Sequence, residues 1–177
     1  MSDVSYPAEL NPPKKRWRME KTRSFMKKKI YVTRSAGETI KLAARLARAL
    51  VPGDCLALVG ELGSGKTTFV KGLAYGLGFK KKDYVSSPTF VILKNYPARI
   101  PIYHFDVYRL STLNEFQGIG LEEFIGSQGI CVIEWADKLE GLLPPDHVRI
   151  EFSAPRDTVR RIVVRHPSKG RGKRKNP

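Results

Sequence analysis

Cys55-Leu56-Ala57-Leu58-Val59-Gly60-Glu61-Leu62-Gly63-Ser64-Gly65-Lys66-Thr67-Thr68 is the stretch on which the reading of the chain turns. Five apolar residues in a row, with no polar alternation, predict a strand buried on both faces, as in a parallel sheet covered by helices. A complete G-x-x-x-x-G-K-[ST] loop follows from Gly60 to Thr67, and the next residues predict a helix from Lys66 to about Leu77 that ends near Gly76 or Gly78. This order suits phosphate binding. Glycines let successive backbone N–H groups turn inward on a β-phosphate, and the helix adds the positive end of its dipole. In such a loop Lys66 lies along the β and γ phosphates, and the Thr67 hydroxyl faces Mg²⁺.

On the N-terminal side, Ile30–Thr33 predicts a short strand. Ile40, Ala43, Ala44, Ala47 and Leu50 carry a helical spacing that Pro52-Gly53 stops. On the C-terminal side, Phe90–Leu93 and Ile100–Phe105 predict strands joined across Asn95-Tyr96-Pro97. Residues 113–124 predict one or two short helices broken at Gly118 and Gly120, and Ile130–Ile133 a second buried strand. Val148–Phe152 with Arg161–Val164 predicts a closing hairpin. Strands and helices in alternation, with antiparallel pieces added, indicate an α/β fold. With the loop, this becomes a P-loop NTPase sandwich with a mixed, mostly parallel central sheet plus antiparallel hairpins.

A phosphate loop needs a carboxylate from a neighbouring strand to complete the magnesium shell. Two are available: Glu134, after Ile130–Ile133, and Asp106, after Ile102-Tyr103-His104-Phe105. Near the same phosphates, one would hold the metal, directly or through water, and the other would orient the attacking water. In Ser87-Pro88-Thr89 a hydroxyl is offered as GTPase switch loops offer one; a proline-fixed loop leading into a strand explains the tripeptide equally well. His104 reads first as a satisfied strand histidine and Trp135 as a packing or interface aromatic.

The 177 residues hold 32 Lys and Arg against 17 Asp and Glu, a formal charge of +15. Residues 1–29 carry nine basic and three acidic residues, and residues 165–177 six basic and none acidic. Both segments are punctuated by Pro or Gly and bury too little apolar surface to offset chain entropy. They are expected to be basic, disordered tails around one domain at 30–164, which keeps a charge of only +3. A surplus of this kind points to nucleic acid or an anionic surface as a partner. No apolar run approaches the ~20 residues a bilayer requires, and the basic, interrupted start does not resemble a secretory signal. A cytoplasmic location is expected. Cys55 and Cys131 lie in apolar runs with no C-x-x-C partner and read as core residues.

G-E-L-G-S-G-K-T-T-F at 60–69, S-P-T-F at 87–90, H-F-D-V-Y-R-L at 104–110 and I-E-W at 133–135 occur in an order and at intervals that closely resemble the TsaE (YjeE) family. The resemblance extends over about residues 30–164, including Gly118-Ile119 and Gly141-Leu142-Leu143-Pro144. It implies a small P-loop ATPase of tRNA modification that binds and hydrolyses ATP–Mg²⁺. Its product pathway is threonylcarbamoyladenosine beside the anticodon, and its partners are the transferase subunit TsaD and the paralogue TsaB. Carried over by motif, Gly63, Ser64, Gly65, Lys66, Thr67 and Thr68 cradle the phosphates, while Thr67 and Glu134 hold Mg²⁺. Asp106 and Thr89 belong to switch-like elements near the γ-phosphate, and Lys66, Asp106 and Glu134 are the catalytic candidates. Trp135 matches a family tryptophan. An arginine of the closing hairpin lies near the nucleotide in the family; Arg160 and Arg161 both fit, with Arg160 taken as the candidate. The tails lie outside the resemblance and are expected to touch tRNA.

Other classes fit less well. A GTPase needs an N-K-x-D motif, which is absent, and an ABC ATPase needs L-S-G-G-Q. A metabolite kinase would use Arg156, Arg160 and Arg161 as a phosphate-clamping lid, yet no acceptor-binding acid/base pair remains for it. A nucleotide-regulated RNA-binding module is the non-enzymatic alternative.

Overall fold

The computed structural model describes residues 27–81, 84–139 and 141–167. Seven strands form one sheet: β1 (Lys27–Thr33), β2 (Cys55–Val59), β3 (Leu93–Tyr96), β4 (Ile102–Asp106), β5 (Ile130–Glu134), β6 (Val148–Ser153) and β7 (Arg160–His166). Their order is β1-β7-β6-β2-β5-β4-β3. The central pairs β6·β2, β2·β5 and β5·β4 are parallel, whereas β3·β4, β6·β7 and β1·β7 are antiparallel. Five of the seven strands therefore run in one direction, so the sheet is mixed and mostly parallel, as the sequence leads one to expect.

Side chains alternate across the strands, and each face builds its own core. On one face Leu56, Leu58, Val132, Ile150, Phe152 and Ile162 pack against α1 (Ala36–Ala47) and α2 (Lys66–Gly76). On the other, Cys55, Ala57, Phe105, Cys131 and Ile133 lie beneath α3 (Leu113–Gly118), α4 (Leu121–Phe124) and the 3₁₀ turn Ala136–Leu139. Burial on both faces is why β2 and β5 read as unbroken apolar runs. The two cysteines face each other in register across β2 and β5. Burial pushes the Cys131 thiol well above its ordinary value, with Cys55 adding to the effect, so these are core side chains and not nucleophiles.

The helix ends follow from local chemistry. The Ser35 hydroxyl accepts from the Glu38 N–H at 3.1 Å to open α1, and Thr112 and Glu115 form a capping box that opens α3. Gly120, at φ +62°, breaks the chain between α3 and α4.

Several strand boundaries differ from those predicted; β4, for one, begins at Ile102, not Ile100. β3 begins at Leu93, not Phe90, and Asn95 and Tyr96 are strand residues paired with Tyr103 and Ile102. The reason is a turn: the N–H groups of Val91 and Ile92 both donate to the Pro88 carbonyl, which leaves Phe90 86% exposed and Ile92 at φ +65°. The hairpin connection is therefore 97–101. β1 starts three residues early, at Lys27, because Lys27, Lys28 and Lys29 pair with His166, Arg165 and Val164. β7 likewise runs to His166, past the predicted end of the domain. The expected tails otherwise fall at 1–26 and 168–177, outside the described residues.

α2 rests on α1 at two glycines one turn apart. A Cβ at Gly72 would lie 2.5 Å from the Ile40 carbonyl oxygen and 2.6 Å from the Ala43 Cβ; at Gly76 it would lie 2.5 Å from the Ala44 carbonyl oxygen. Gly→Ala in a helix interior gains about 1 kcal/mol of propensity, but overpacking against backbone costs about 1–3 kcal/mol. The clash wins because the nearest atom at each glycine is a main-chain carbonyl oxygen, of Ile40 or Ala44. Gly72→Ala is expected to destabilise the fold by about 1–2 kcal/mol in urea denaturation; a more stable variant would show that the helices separate at no cost.

Candidate nucleotide site

The parallel register of β2, β5 and β4 brings the site together. Leu58 pairs with Glu134, and Glu134 with Asp106, so the loop after β2 and both carboxylates emerge at one end of the sheet. They line a cleft of about 310 Å³, with Gly63, Gly65, Lys66, Thr67 and Thr68 from the loop and first turn of α2 opposite Thr89, Asp106, Glu134 and Trp135. Ser64 lies beneath, 2% exposed.

The loop is shaped by its glycines and by contact with β6. Gly63 and Gly65 adopt φ +73° and +100°, in the left-handed region that favours glycine. A Cβ at Gly60 would lie 2.5 Å from the Phe152 carbonyl oxygen. Gly65 is the N-cap of α2 and offers it no side-chain hydrogen bond. The first-turn N–H groups of α2 consequently point into the cleft with no intrahelical acceptor. Among the described residues, Ser64 Oγ is the buried side-chain polar atom with no hydrogen-bond partner. An orphaned hydroxyl beneath uncapped amides is a fitting surround for a phosphate.

Lys66 is 4% exposed. Its Nζ donates to the carbonyls of Gly60 at 2.6 Å and Glu61 at 3.0 Å, and lies 3.8 Å from the centroid of the Trp135 ring. Burial pushes its ammonium below the ordinary lysine value, opposed by Glu134, Asp106, Asp137 and Glu61. Trp135 reaches this position through a left-handed backbone, φ +62°, costly for an aromatic residue. Its other neighbour is Tyr108, with ring centroids 4.8 Å apart.

The two acids have different surroundings. Glu134 Oε1 accepts from the Thr67 hydroxyl at 2.8 Å and from His104 Nε2 at 2.9 Å, so the proposed metal-binding pair already lies in contact. Asp106 Oδ2 accepts from the Ser87 hydroxyl and, at 2.7 Å, from Thr89, while Oδ1 accepts from the Tyr108 N–H at 3.0 Å. Asp106 thereby ties the Ser87-Pro88-Thr89 loop to the end of β4. Arg160 extends from the start of β7 over the phosphate loop and donates to the Gly63 carbonyl at 3.1 Å. Arg161 is one residue further along β7 and exposed, so of the two candidates Arg160 is the one that touches the phosphate loop.

Three features of the site escape a reading of motifs. His104, fully buried, supports Glu134 from below, and its Nδ1 lies 3.4 Å from the Tyr96 hydroxyl. Tyr96 in turn donates to the Ser86 carbonyl at 3.1 Å, a link between the switch-like loop and the carboxylate that sequence spacing does not reveal. The third is the stacking of Trp135 on Lys66, which depends on a backbone angle with no sequence signature.

A mostly parallel sheet whose glycine-rich loop opens into a helix N-terminus, with a carboxylate from the adjacent strand on the loop threonine, is a P-loop α/β fold. Comparison with known proteins narrows the class. The sequence model of the family "Threonylcarbamoyl adenosine biosynthesis protein TsaE" matches residues 33–162, and the chain belongs to this family, which acts in tRNA threonylcarbamoyladenosine biosynthesis. It is 42% identical over 133 residues to the TsaE protein of Treponema pallidum, covering 75% of this chain and 97% of that one. To the TsaE protein of Bacillus subtilis it is 44% identical over 128 residues, covering 71% and 78%. The crystal structure of Bacillus subtilis YdiB superposes with a TM-score of 0.67 at 36% identity, covering 81% of this chain and 88% of that chain.

Tyr96 provides a test of the buried network. Burial, opposed by the bond to Ser86 and reinforced by Glu134, pushes its hydroxyl up to about 12. The folded state favours the neutral phenol, so this stabilisation is complete below pH 10 and is lost as pH rises towards 12. Between pH 9.5 and 11.5 the stability advantage of the parent over Tyr96→Phe is expected to shrink by about 1–2 kcal/mol in urea denaturation. A constant difference would show that the phenol is not held in this network.

Proposed function

We propose that the protein is the ATPase subunit of threonylcarbamoyladenosine formation, binding and hydrolysing ATP–Mg²⁺ in the cytoplasm to support turnover of the TsaD–TsaB transferase. The observation that carries this reading is the orphaned Ser64 hydroxyl beneath the uncapped start of α2, with Lys66 on one side and the Thr67–Glu134 pair on the other. Gly63, Ser64, Gly65, Lys66, Thr67 and Thr68 hold the phosphates. Lys66 is held meanwhile by two neutral carbonyls; phosphate oxygens are stronger, charged acceptors, so the exchange is favourable. Thr67 and, directly or through water, Glu134 would hold Mg²⁺, which would supply charge neutralisation at the phosphates.

His104 fixes the orientation of Glu134 through Oε1 and leaves Oε2 for a further ligand. Asp106 holds Ser87 and Thr89 at the rim, where these hydroxyls meet the γ-phosphate end of the cleft and the carboxylate helps position water. Arg160 offers a further cation to the phosphates. Its guanidinium is fixed to the carbonyls of Arg156, Asp157 and Val159 as well as Gly63. So fixed, it suits a stationary site better than the mobile lid of a metabolite kinase.

ATP hydrolysis measured with and without purified TsaD and TsaB tests the reading, together with a pull-down of the pair in the presence and absence of ATP–Mg²⁺. Stimulation by the pair and nucleotide-dependent capture are expected. Lys66→Ala or Glu134→Gln is expected to lower turnover at least ~100-fold, since each removes several kcal/mol of charge stabilisation. Turnover within a few-fold of the parent would refute the site, and nucleotide-dependent phosphorylation of a metabolite would replace the ATPase with a kinase.

A further inference from the structure

Side chains from three neighbouring strands meet on one face of the sheet. His104 of β4 pairs with Lys94 of β3 and with Val132 of β5. Tyr96 and Glu134 lie two residues beyond these pairing partners, so each is a diagonal neighbour of His104. Alternation puts all three on the face covered by α1 and α2, together with Ile102 and Val132. Thr67, in the first turn of α2, meets Glu134 from that side.

The outcome is a continuous line of polar contacts. It runs from the Ser86 carbonyl to the Tyr96 hydroxyl at 3.1 Å, on to His104 Nδ1 at 3.4 Å, from His104 Nε2 to Glu134 at 2.9 Å, and from Glu134 to Thr67 at 2.8 Å. Tyr96, His104 and Glu134 are buried, so bulk water does not compete for these contacts. The outer end is anchored a second time, by Lys94 Nζ donating to the Ser86 hydroxyl at 2.6 Å. Ser86 leads directly into Ser87-Pro88-Thr89, whose two hydroxyls hold Asp106. Filling space between Ile102 and Val132 does not call for an imidazole, because an apolar side chain would do so without the cost of burying polar groups. What the imidazole adds is a directed contact to one oxygen of Glu134.

We infer that His104 and Tyr96 are positioning residues for the metal site: His104 orients the Glu134 carboxylate, and Tyr96, tied to the Ser86 carbonyl, fixes the imidazole in turn, so that Mg²⁺ affinity depends on the loop that leads to Thr89. The inference rests on the ATP–Mg²⁺ reading of the cleft. Partners one contact removed from a metal ligand hold it in orientation, and losing one typically costs about 10–100-fold in metal affinity. Neither side chain is among those that line the cleft, so both act through Glu134.

The test is binding of the fluorescent nucleotide N-methylanthraniloyl-ATP to the full chain, first in EDTA and then over a titration with Mg²⁺. Binding in EDTA reports the phosphate cradle, and the Mg²⁺ midpoint reports the metal site. His104→Leu is expected to raise that midpoint about 10–100-fold. His104→Gln, which returns a side-chain N–H towards Glu134, is expected to bring it most of the way back. Tyr96→Phe, which removes only a hydroxyl and keeps the shape of the core, is expected to raise it about two- to tenfold. A purely structural role would lower the urea midpoints of these variants and leave the metal midpoint in place. An unchanged metal midpoint in His104→Leu or in Tyr96→Phe would overturn the inference, as would a His104→Gln midpoint as high as that of His104→Leu. Failure of the underlying reading registers in the parent instead: no binding of the nucleotide, or equal binding in EDTA and in Mg²⁺, would overturn the site and this inference with it.

Discussion

Parallel pairing of β2 with β5, and of β5 with β4, is the constraint on which the rest of the molecule depends. Parallel strands share one carboxyl end, so the register Leu58–Glu134–Asp106 delivers the phosphate loop and two acids to the same edge. Ligands of open α/β sheets bind at this edge because connecting loops converge there. A slip of one residue in β5 would direct Glu134 to the opposite face. The apolar residues of β2 and β5, buried on both sides, fix the register by packing, and the site inherits its geometry from the core.

The same core makes the site's charges costly. Lys66, Asp106 and Glu134 are all under 5% exposed, and a buried charge is tolerated only with close partners. Each has them. Lys66 has two carbonyls and an aromatic face, Asp106 two hydroxyls and an N–H, and Glu134 a hydroxyl and an imidazole. Removing a partner strands a charge, so these contacts form a connected unit. Its outer members, Ser86, Ser87 and Thr89, lie on one loop, which connects that loop directly to Asp106 and, through Tyr96 and His104, to Glu134.

The sequence revealed the parts whose chemistry is local. A buried strand, a glycine-rich loop and acids at strand ends are written in consecutive residues, and the Lys66, Thr67, Asp106 and Glu134 they single out line one cleft. What it concealed arises from pairing between distant segments. Lys27–Lys29 look like a solvated charge run, yet backbone pairing with β7 needs no apolar side chains and makes them strand. Phe90 and Val91 have strong strand propensity, but the turn on the Pro88 carbonyl, which lets Thr89 reach Asp106, overrides it. His104 looks like any strand histidine until β4 and β5 are set side by side. Arg160 and Arg161 are indistinguishable as letters; only the alternation of β7 separates the one over the loop from the one in solvent.

Strand length decides how the molecule's two kinds of positive charge relate. Arg160 and His166 are separated by the length of β7, six steps of about 3.3 Å, or about 20 Å. The Debye length at physiological salt is about 8 Å. Lys28 and Lys29, paired with Arg165 and Val164 at the far end of the sheet, are therefore screened from phosphates in the cleft. The cleft must rely on short-range groups: amides of α2, Lys66 and Arg160. Mechanical connection is a different matter. α2 begins at the phosphate site and rests on α1 through Gly72 and Gly76, and α1 carries Lys41 and Arg45 on its outer face. Because those glycines let main chain touch main chain, a displacement at the start of α2 has no soft side chain in which to dissipate before it reaches α1. A mechanical route from the phosphate site to the outer face of α1 therefore runs through this helix pair.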